Sequence, residues 1–375
     1  MMLVASVLLT LAALGSLAAL ASVWAVTRRL AAPETSAVAM PVTLLRPLHG
    51  AEPGLGERLA ALASQSYPAP VQLVFGVHRS DDSAVAVVER LRAAHPAADI
   101  ALVVDGTRHG RNNKVSNLIN MVAVAKHDLL VVTDSDVLVR NDWLSRVVAE
   151  LQRPGVGVVT ALYTGEAAGP SPWAQLAAMA VSYQFLPGVA LAVELGLAHP
   201  CMGSTVALTR HTLARIGGFD AVADALADDY EIGVRVRALG LSIAMPPLAV
   251  VHVHGETRFR ALWRQEIRWA RTIRTVDAGG HFAQLVTYFL PLAVIGAAVA
   301  LASPVSLVVL AAAFGVRALQ KYRIDAATAT DSGPFWLLPL RDFLSLGVWA
   351  GSYFVRSVDW RGARHRLSAG GDMLD

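Results

Sequence analysis

Residues 128–136 read Asp-Leu-Leu-Val-Val-Thr-Asp-Ser-Asp, an apolar, β-branched run that ends abruptly in acid. The run predicts a buried strand over 128–133, and its neighbours repeat the pattern. VTLL (42–45), VQLVFGV (71–77), IALVV (100–104) and VGVVT (156–160) are further strands of the same kind. Between them, 55–65, 83–94, 114–125 and 141–152 carry apolar residues at helical spacing. Continuous apolar strands alternating with helices predict an α/β domain whose mostly parallel sheet has flanking helices on both faces. Such sheets bind ligands beyond the carboxyl ends of their strands.

Polar, charged loops follow three of these strands: His78-Arg79-Ser80-Asp81-Asp82, Asp105 through Lys114, and Asp134-Ser135-Asp136. In extended backbone, positions i and i+2 point the same way, so Asp134 and Asp136 can face one cavity. Two carboxylates are what a protein commonly offers Mg²⁺ or Mn²⁺, with phosphate oxygens and water completing the shell. Such a metal would neutralise a departing diphosphate. Lys114, in Asn112-Asn113-Lys114, opens a helix after a strand, a place that suits an anion, although a solvated surface lysine fits equally.

A second acidic cluster, Asp228-Asp229-Tyr230-Glu231, follows a glycine-rich turn and starts a helical pattern. One carboxylate can cap that helix while its neighbour serves as a general base for an acceptor hydroxyl. Further on, Gln265-Glu266-Ile267-Arg268-Trp269 sits among Arg264, Arg271 and Arg274. Arginines at i and i+3 suit a diphosphate, and a basic helix just before a membrane segment also suits anionic lipid. His252 and His254 alternate in a short strand and read as half-buried histidines rather than ligands.

Apolar residues make up 54% of the chain, unusual for a purely soluble protein. Residues 3–26 carry no charge and are followed by Arg28 and Arg29, so 1–27 is expected to be a retained transmembrane anchor with the next domain in the cytoplasm. Residues 282–319, interrupted by Pro291 and Pro304, suit two further spans that return at Arg317, Lys321 and Arg323. The block 335–354 contains Arg341 and Asp342, which argues for a re-entrant or membrane helix with these two side chains paired. A basic tail, 355–375, carries Arg356, Arg361, Arg364 and Arg366. Residues 172–198 are apolar but contain Gln175, Gln184, Pro187 and Glu194. The acidic motifs lie on both sides of this segment and must meet, so a single crossing is excluded. It is expected to lie at the interface or line an acceptor groove, with Trp173, Tyr183, Phe185 and Leu186 against an apolar body; a buried core helix pair is the other reading. The net charge of +3 gives a nucleic-acid partner no support, and one cysteine, Cys201, excludes an intrachain disulfide and a cysteine-based metal site.

In this order, Asp81-Asp82, Asp134-Ser135-Asp136, Asp229 and Gln265-x-x-Arg268-Trp269 resemble family 2-type glycosyltransferases with a GT-A fold, and more narrowly the ceramide glucosyltransferase-like family 21. The match covers about residues 40–280. PVTLLRPLHGAEPGL, KVSNLINM, ADDYEIG, RWARTIR and the tail PLRDFLSLGVWAGSYF look most like bacterial hopanoid-biosynthesis glycosyltransferases. The resemblance implies a metal-dependent, inverting enzyme with a cytoplasmic GT-A domain over 40–280 at the bacterial inner membrane. Asp229 would be the base, and Asp81 or Asp82, Lys114 and Asp134 would bind the donor. Gln265, Arg268 and Trp269 would lie around diphosphate and acceptor, and Asp134 and Asp136 would hold Mg²⁺ or Mn²⁺. It implies UDP-N-acetylglucosamine as donor and the lipid bacteriohopanetetrol as acceptor. Ceramide with UDP-glucose is the alternative, and an inactive binding or transport protein is the reading from another class.

Overall fold

The computed structural model describes residues 1–33, 38–355, 357–360, 363–368 and 371–374. Arg356 and Arg361 of the basic tail lie outside the described residues. The chain opens with α1 (Met2–Leu30), then runs β1 (Val42–Pro47), α2 (Leu55–Ala63), β2 (Val71–Val77), α3 (Ala84–Ala94), β3 (Asp99–Val104), α4 (Asn113–Val122) and β4 (Leu129–Val132). Next come β5 (Val137–Leu138), α5 (Trp143–Leu151), β6 (Val156–Thr160), β7 (Leu162–Ala167), α6 (Pro172–Ala180) and α7 (Leu186–Glu194). The second half holds β8 (Val206–Thr209), α8 (Arg210–Arg215), α9 (Asp228–Ala238), β9 (Ser242–Ala244), β10 (Ala249–His254) and α10 (Phe259–Val276). Last are α11 (Ala278–Ala283), α12 (Phe289–Val299), α13 (Pro304–Thr328), α14 (Leu338–Gly351) and three short strands near the C-terminus.

Two compact units emerge, and neither is continuous in sequence. One comprises residues 32–163 and 199–255; the other comprises 1–31, 164–198 and 256–375. Residues 256–280, expected within the catalytic domain, group with the helices.

The first unit is the α/β unit. Its seven-stranded sheet has the order β3-β2-β1-β4-β8-β6-β9. The pairs β1–β2, β2–β3 and β1–β4 are parallel, and so is β6–β9; β8 runs antiparallel to both β4 and β6. Alternate residues of each strand feed two separate cores. Leu44, Leu73, Phe75, Leu129 and Val131 pack with α2, α3 and α5 on one face. Leu45, Val74, Leu130 and Val132 pack with α4 and the α8–α9 region on the other. Burial on both faces is why these strands read as unbroken apolar runs.

The second unit is helical. Among the described residues, three helices are long and apolar enough to cross a membrane: Met2–Leu30, Pro172–Glu194 and Pro304–Thr328. A fourth candidate is the pair Ala278–Thr287 and Phe289–Val299, bent by 60°. Neither proline interrupts its helix: Pro304 opens α13 and Pro291 lies in the first turn of α12, where a missing N–H costs nothing. A π-helical turn, Val181–Phe185, joins α6 to α7.

Helix α13 runs on to Thr328; within it Arg317 and Lys321 are buried, each 3% exposed, while Arg323 is exposed. Arg317 grips Asp342 through two nitrogens, and Lys321 reaches Asp325 at 2.6 Å and Asp331 at 3.0 Å. Arg341 and Asp342 are not paired with one another. Successive residues project about 100° apart on a helix, so Arg341 instead makes a bidentate pair with Glu266 of α10 at 2.6 and 2.8 Å. Leu186 is fully buried, while Tyr183, also buried, lines a cavity with Gln184, Pro187 and Arg317, and the Tyr183 hydroxyl donates to Asp325 at 2.7 Å. At 14 residues, α14 is shorter than the roughly 20 that a span needs.

Candidate active site

The site forms where β4 ends, in the middle of the sheet. The chain leaves Val132 through Thr133, whose hydroxyl donates to the Ser204 carbonyl at 2.9 Å. Two arginines fix the loop that follows. Arg46, fully buried at the end of β1, donates to the Val137 carbonyl at 2.9 Å, and Arg58 of α2 donates to the Ser135 carbonyl at 2.8 Å. Burial, with Arg58 close by, pushes the Arg46 guanidinium down to about 9. The hydrogen bonds just named go to backbone, so this loop is held without using either neighbouring carboxylate.

Asp134 and Asp136 are thereby presented side by side, each side chain 34% exposed. Lys114, in the first turn of α4, sets its Nζ 2.8 Å from Asp134 Oδ1 and 3.2 Å from Asp228 Oδ2. It is placed there by Asn112, whose side chain caps α4 by accepting from the Lys114 and Val115 N–H groups. The Asn112 amide also donates to Asp228 Oδ1 at 3.3 Å, which ties the start of α4 to the start of α9. Desolvation opposes the Lys114 charge, but Asp134, Asp228 and Asp229 more than offset it and hold the ammonium protonated well above its ordinary range.

Asp229 accepts from the Gly203 N–H at 2.5 Å and from the Tyr230 N–H at 2.8 Å. Desolvation, and then the neighbouring Asp228 carboxylate, raise its pKa to about 6. The cap reading of this pair changes: the N-cap of α9 is Ala227, and Asp228 spends its oxygens on Lys114 and Asn112. Gly203 explains how the groups come so close. A Cβ there would lie 2.8 Å from Asp134 Oδ2, 3.1 Å from Lys114 Nζ and 3.3 Å from Asp229 Oδ2. Any side chain would fill the point on which three functional groups converge.

On the other side of Asp136 is β10. His252 Nε2 lies 3.0 Å from Asp136 Oδ2, and His252 Nδ1 lies 2.9 Å from His254 Nε2. Desolvation alone would raise the Asp136 carboxyl, yet His252, followed by His254 and Arg58, brings it well below the usual range. The Tyr163 ring stands 5.8 Å from His252, and burial with the three aspartates keeps its phenol protonated. Among the described residues, no group of three or more His, Cys, Asp or Glu side chains forms a metal cage. The other oxygen of Asp136, Oδ1, is buried without a hydrogen-bond partner. An unspent carboxylate oxygen beside a second carboxylate fits a hard divalent cation that takes its remaining ligands from phosphate and water.

Of the residues expected to act together, Lys114, Asp134, Asp136 and Asp229 are brought into this one place, with Asp228. Asp82 accepts from the Gly50 N–H at 2.9 Å and the Ala84 N–H at 2.8 Å, joining the loop after β1 to α3. Asp81 is exposed and paired with Arg79. Gln265, Arg268 and Trp269 are half-buried on α10, in the helical unit. Sequence reasoning missed Arg46, Arg58, Tyr163 and Gly203 and passed over His252. Arg46 left a usable signal, a lone cation closing an apolar strand.

A sequence-family model described as Glycosyl transferase family 21 matches residues 7–373. The ceramide glucosyltransferase of Komagataella phaffii is 33% identical over 117 residues, covering 30% of this chain and 23% of that protein. The beta-monoglucosyldiacylglycerol synthase of Synechocystis is 25% identical over 219 residues, covering 58% and 44% respectively. The chain thus spans less than half the length of either relative. Among solved structures, the mannosyltransferase PcManGT of Pyrobaculum calidifontis, in complex with GDP-Man and Mn²⁺, superposes with a TM-score of 0.51. It is 21% identical over 94% of this chain and 99% of the other, so the likeness is one of fold. On the family model, which matches nearly end to end, this chain belongs to glycosyl transferase family 21.

Proposed function

We propose that the chain transfers a sugar from a nucleotide-diphosphate donor to the hydroxyl of a membrane lipid, with inversion at the anomeric carbon. The observation that carries this reading is the meeting of Lys114, Asp134, Asp228 and Asp229 around Gly203. In this mechanism Asp229, raised to about 6, is ionised at neutral pH and close enough to it to take a proton well. It removes the proton from the acceptor hydroxyl as that oxygen bonds to the anomeric carbon. The bond from that carbon to the diphosphate oxygen breaks, and the electron pair leaves with the nucleoside diphosphate. Lys114 offers the leaving group a permanent positive charge. Asp134 and Asp136 would hold Mg²⁺ or Mn²⁺, which supplies charge neutralisation for the diphosphate when bound; the Mn²⁺ of the structural neighbour is in keeping with this. In the same reading Asp81 or Asp82, with Gln265, Arg268 and Trp269, serves the donor.

The donor we favour is UDP-N-acetylglucosamine and the acceptor bacteriohopanetetrol, at the bacterial inner membrane with the α/β unit on the cytoplasmic side. Ceramide with UDP-glucose is the second reading, favoured by the ceramide glucosyltransferase relatives. The aromatic cluster of Trp173, Phe259 and Trp263 on α6 and α10, with ring centroids 5.5 and 5.9 Å apart, supports an apolar acceptor body beside these helices. Residues 172–198 leave and re-enter the chain of the α/β unit, and Asp134 and Asp229 share one site there. In this reading the segment therefore does not cross the bilayer once. The test is to incubate purified protein with each donor–acceptor pair, following nucleotide release and lipid mass. Glycosylated ceramide without glycosylated bacteriohopanetetrol selects the second reading. Product from neither lipid, nor from diacylglycerol, overturns both.

A further inference from the structure

Arg271 and Arg274 lie one turn apart on α10 and are half-buried. Two cations so placed call for a counterion, yet among the described residues neither makes an ion pair. Arg271 donates to the Thr275 hydroxyl at 3.1 Å, and Arg274 stacks over the Tyr353 ring at 4.9 Å. The Nε atoms of both are buried without a hydrogen-bond partner. Desolvation, reinforced by the adjacent Arg274, lowers the Arg271 pKa, and no carboxylate works against it. The nearest acids in sequence are committed elsewhere. Glu266 is held by Arg341, and Asp277 caps α11 by accepting from the Gly280 N–H at 2.8 Å. Leaving buried guanidinium donors unmet is costly, and among the described residues no carboxylate meets these two.

We infer that Arg271 and Arg274 form a receptor for the phosphate of an anionic membrane phospholipid. Guanidinium forks match phosphate oxygens in pairs, which a point charge does not. The lipid source follows from position. Residue 278, four past Arg274, begins the bent pair of helices that is apolar enough to cross a membrane. Around the arginines the surface is aromatic, with Tyr353 39%, Phe282 64% and Phe354 86% exposed. Basic residues at the foot of a span beside exposed aromatic rings fit the headgroup layer of a bilayer.

The test uses the full chain in neutral detergent, with bound lipid counted by native mass spectrometry. Phosphatidylglycerol is expected to bind about 10- to 30-fold more tightly than phosphatidylcholine, and Arg271→Gln/Arg274→Gln to lose that preference. Equal affinity of the wild type for the two lipids overturns the inference, as does a preference that survives in the double variant. Displacement of the lipid by inorganic phosphate or by UDP at millimolar concentration reassigns the pair to a soluble anion and also overturns it. If the glutamine variant does not fold, Arg271→Lys/Arg274→Lys keeps the charge and removes the forks. It is expected to lose at least about threefold of the preference, and an unchanged preference refutes the paired role.

Discussion

In the helical unit Arg317 and Arg341, 3% and 1% exposed, each grip one carboxylate with two nitrogens and leave nothing over. In the α/β unit Asp134, Asp136, Asp228 and Asp229 meet Lys114 and His252, while Arg46 and Arg58 hold backbone carbonyls. These two arginine–carboxylate pairs close their charges, whereas the acidic cluster leaves one carboxylate oxygen unspent and one carboxyl raised to about 6. A closed pair is what a fold needs to tolerate buried charge. An open cluster with displaced pKa values is what a ligand site needs.

The contrast can be broken from either side. The largest effect expected is at the open site: excess chelator should abolish transfer, and added Mg²⁺ or Mn²⁺ should restore it, as followed by nucleotide release. Full activity in chelator would remove the metal from the mechanism. At the closed pairs, Arg341→Met strands Glu266 and should cost about 3–5 kcal/mol of stability, read from thermal unfolding in detergent. A companion change, Glu266→Leu, should recover most of that loss. If the single variant melts with the wild type, the pair is not holding the helices.

Asp229→Asn tests the base directly. It preserves size and should cut turnover by about 10²-fold or more while leaving donor affinity and melting temperature close to wild type. Retained turnover would move the base elsewhere. The smallest effect is in pH. Because Asp229 must be ionised to accept a proton, turnover should halve near pH 6 and fall about tenfold per unit below it. This carboxyl binds its proton more tightly folded than unfolded, so its contribution to stability grows as pH falls. Acid loss of rate at pH 5 should therefore occur without unfolding traceable to Asp229, and circular dichroism at the same pH separates the two.

What was legible in the sequence follows the range of the interaction. The strands 71–77 and 156–160 were read to the residue because burial on both faces is written locally in their composition. Lys114 and Asp229 were legible because each starts a helix after a turn. Strand β8 gave no comparable signal, being four residues after a long apolar segment. Gly203 and His252 acquire meaning only through Asp134 and Asp136, far away in sequence, and Arg58 through Ser135. The same distance explains Arg341, whose partner Glu266 lies far away in sequence, while its neighbour Asp342 is the local acid that suggests itself.

Strand β8 also has a consequence for how the protein is made. It lies between β4 and β6 in the sheet, yet it is synthesised after both, with the whole of residues 164–198 intervening. Ribosomes add about 5–20 residues per second, so for several seconds β4 and β6 each present an unpaired edge. Asp228 and Asp229 emerge later still. The nascent α/β unit thus cannot complete its sheet, or its acidic cluster, until the apolar segment ahead of β8 has been lodged elsewhere. Delay in that step would expose two strand edges to aggregation before the protein has any chance of being active.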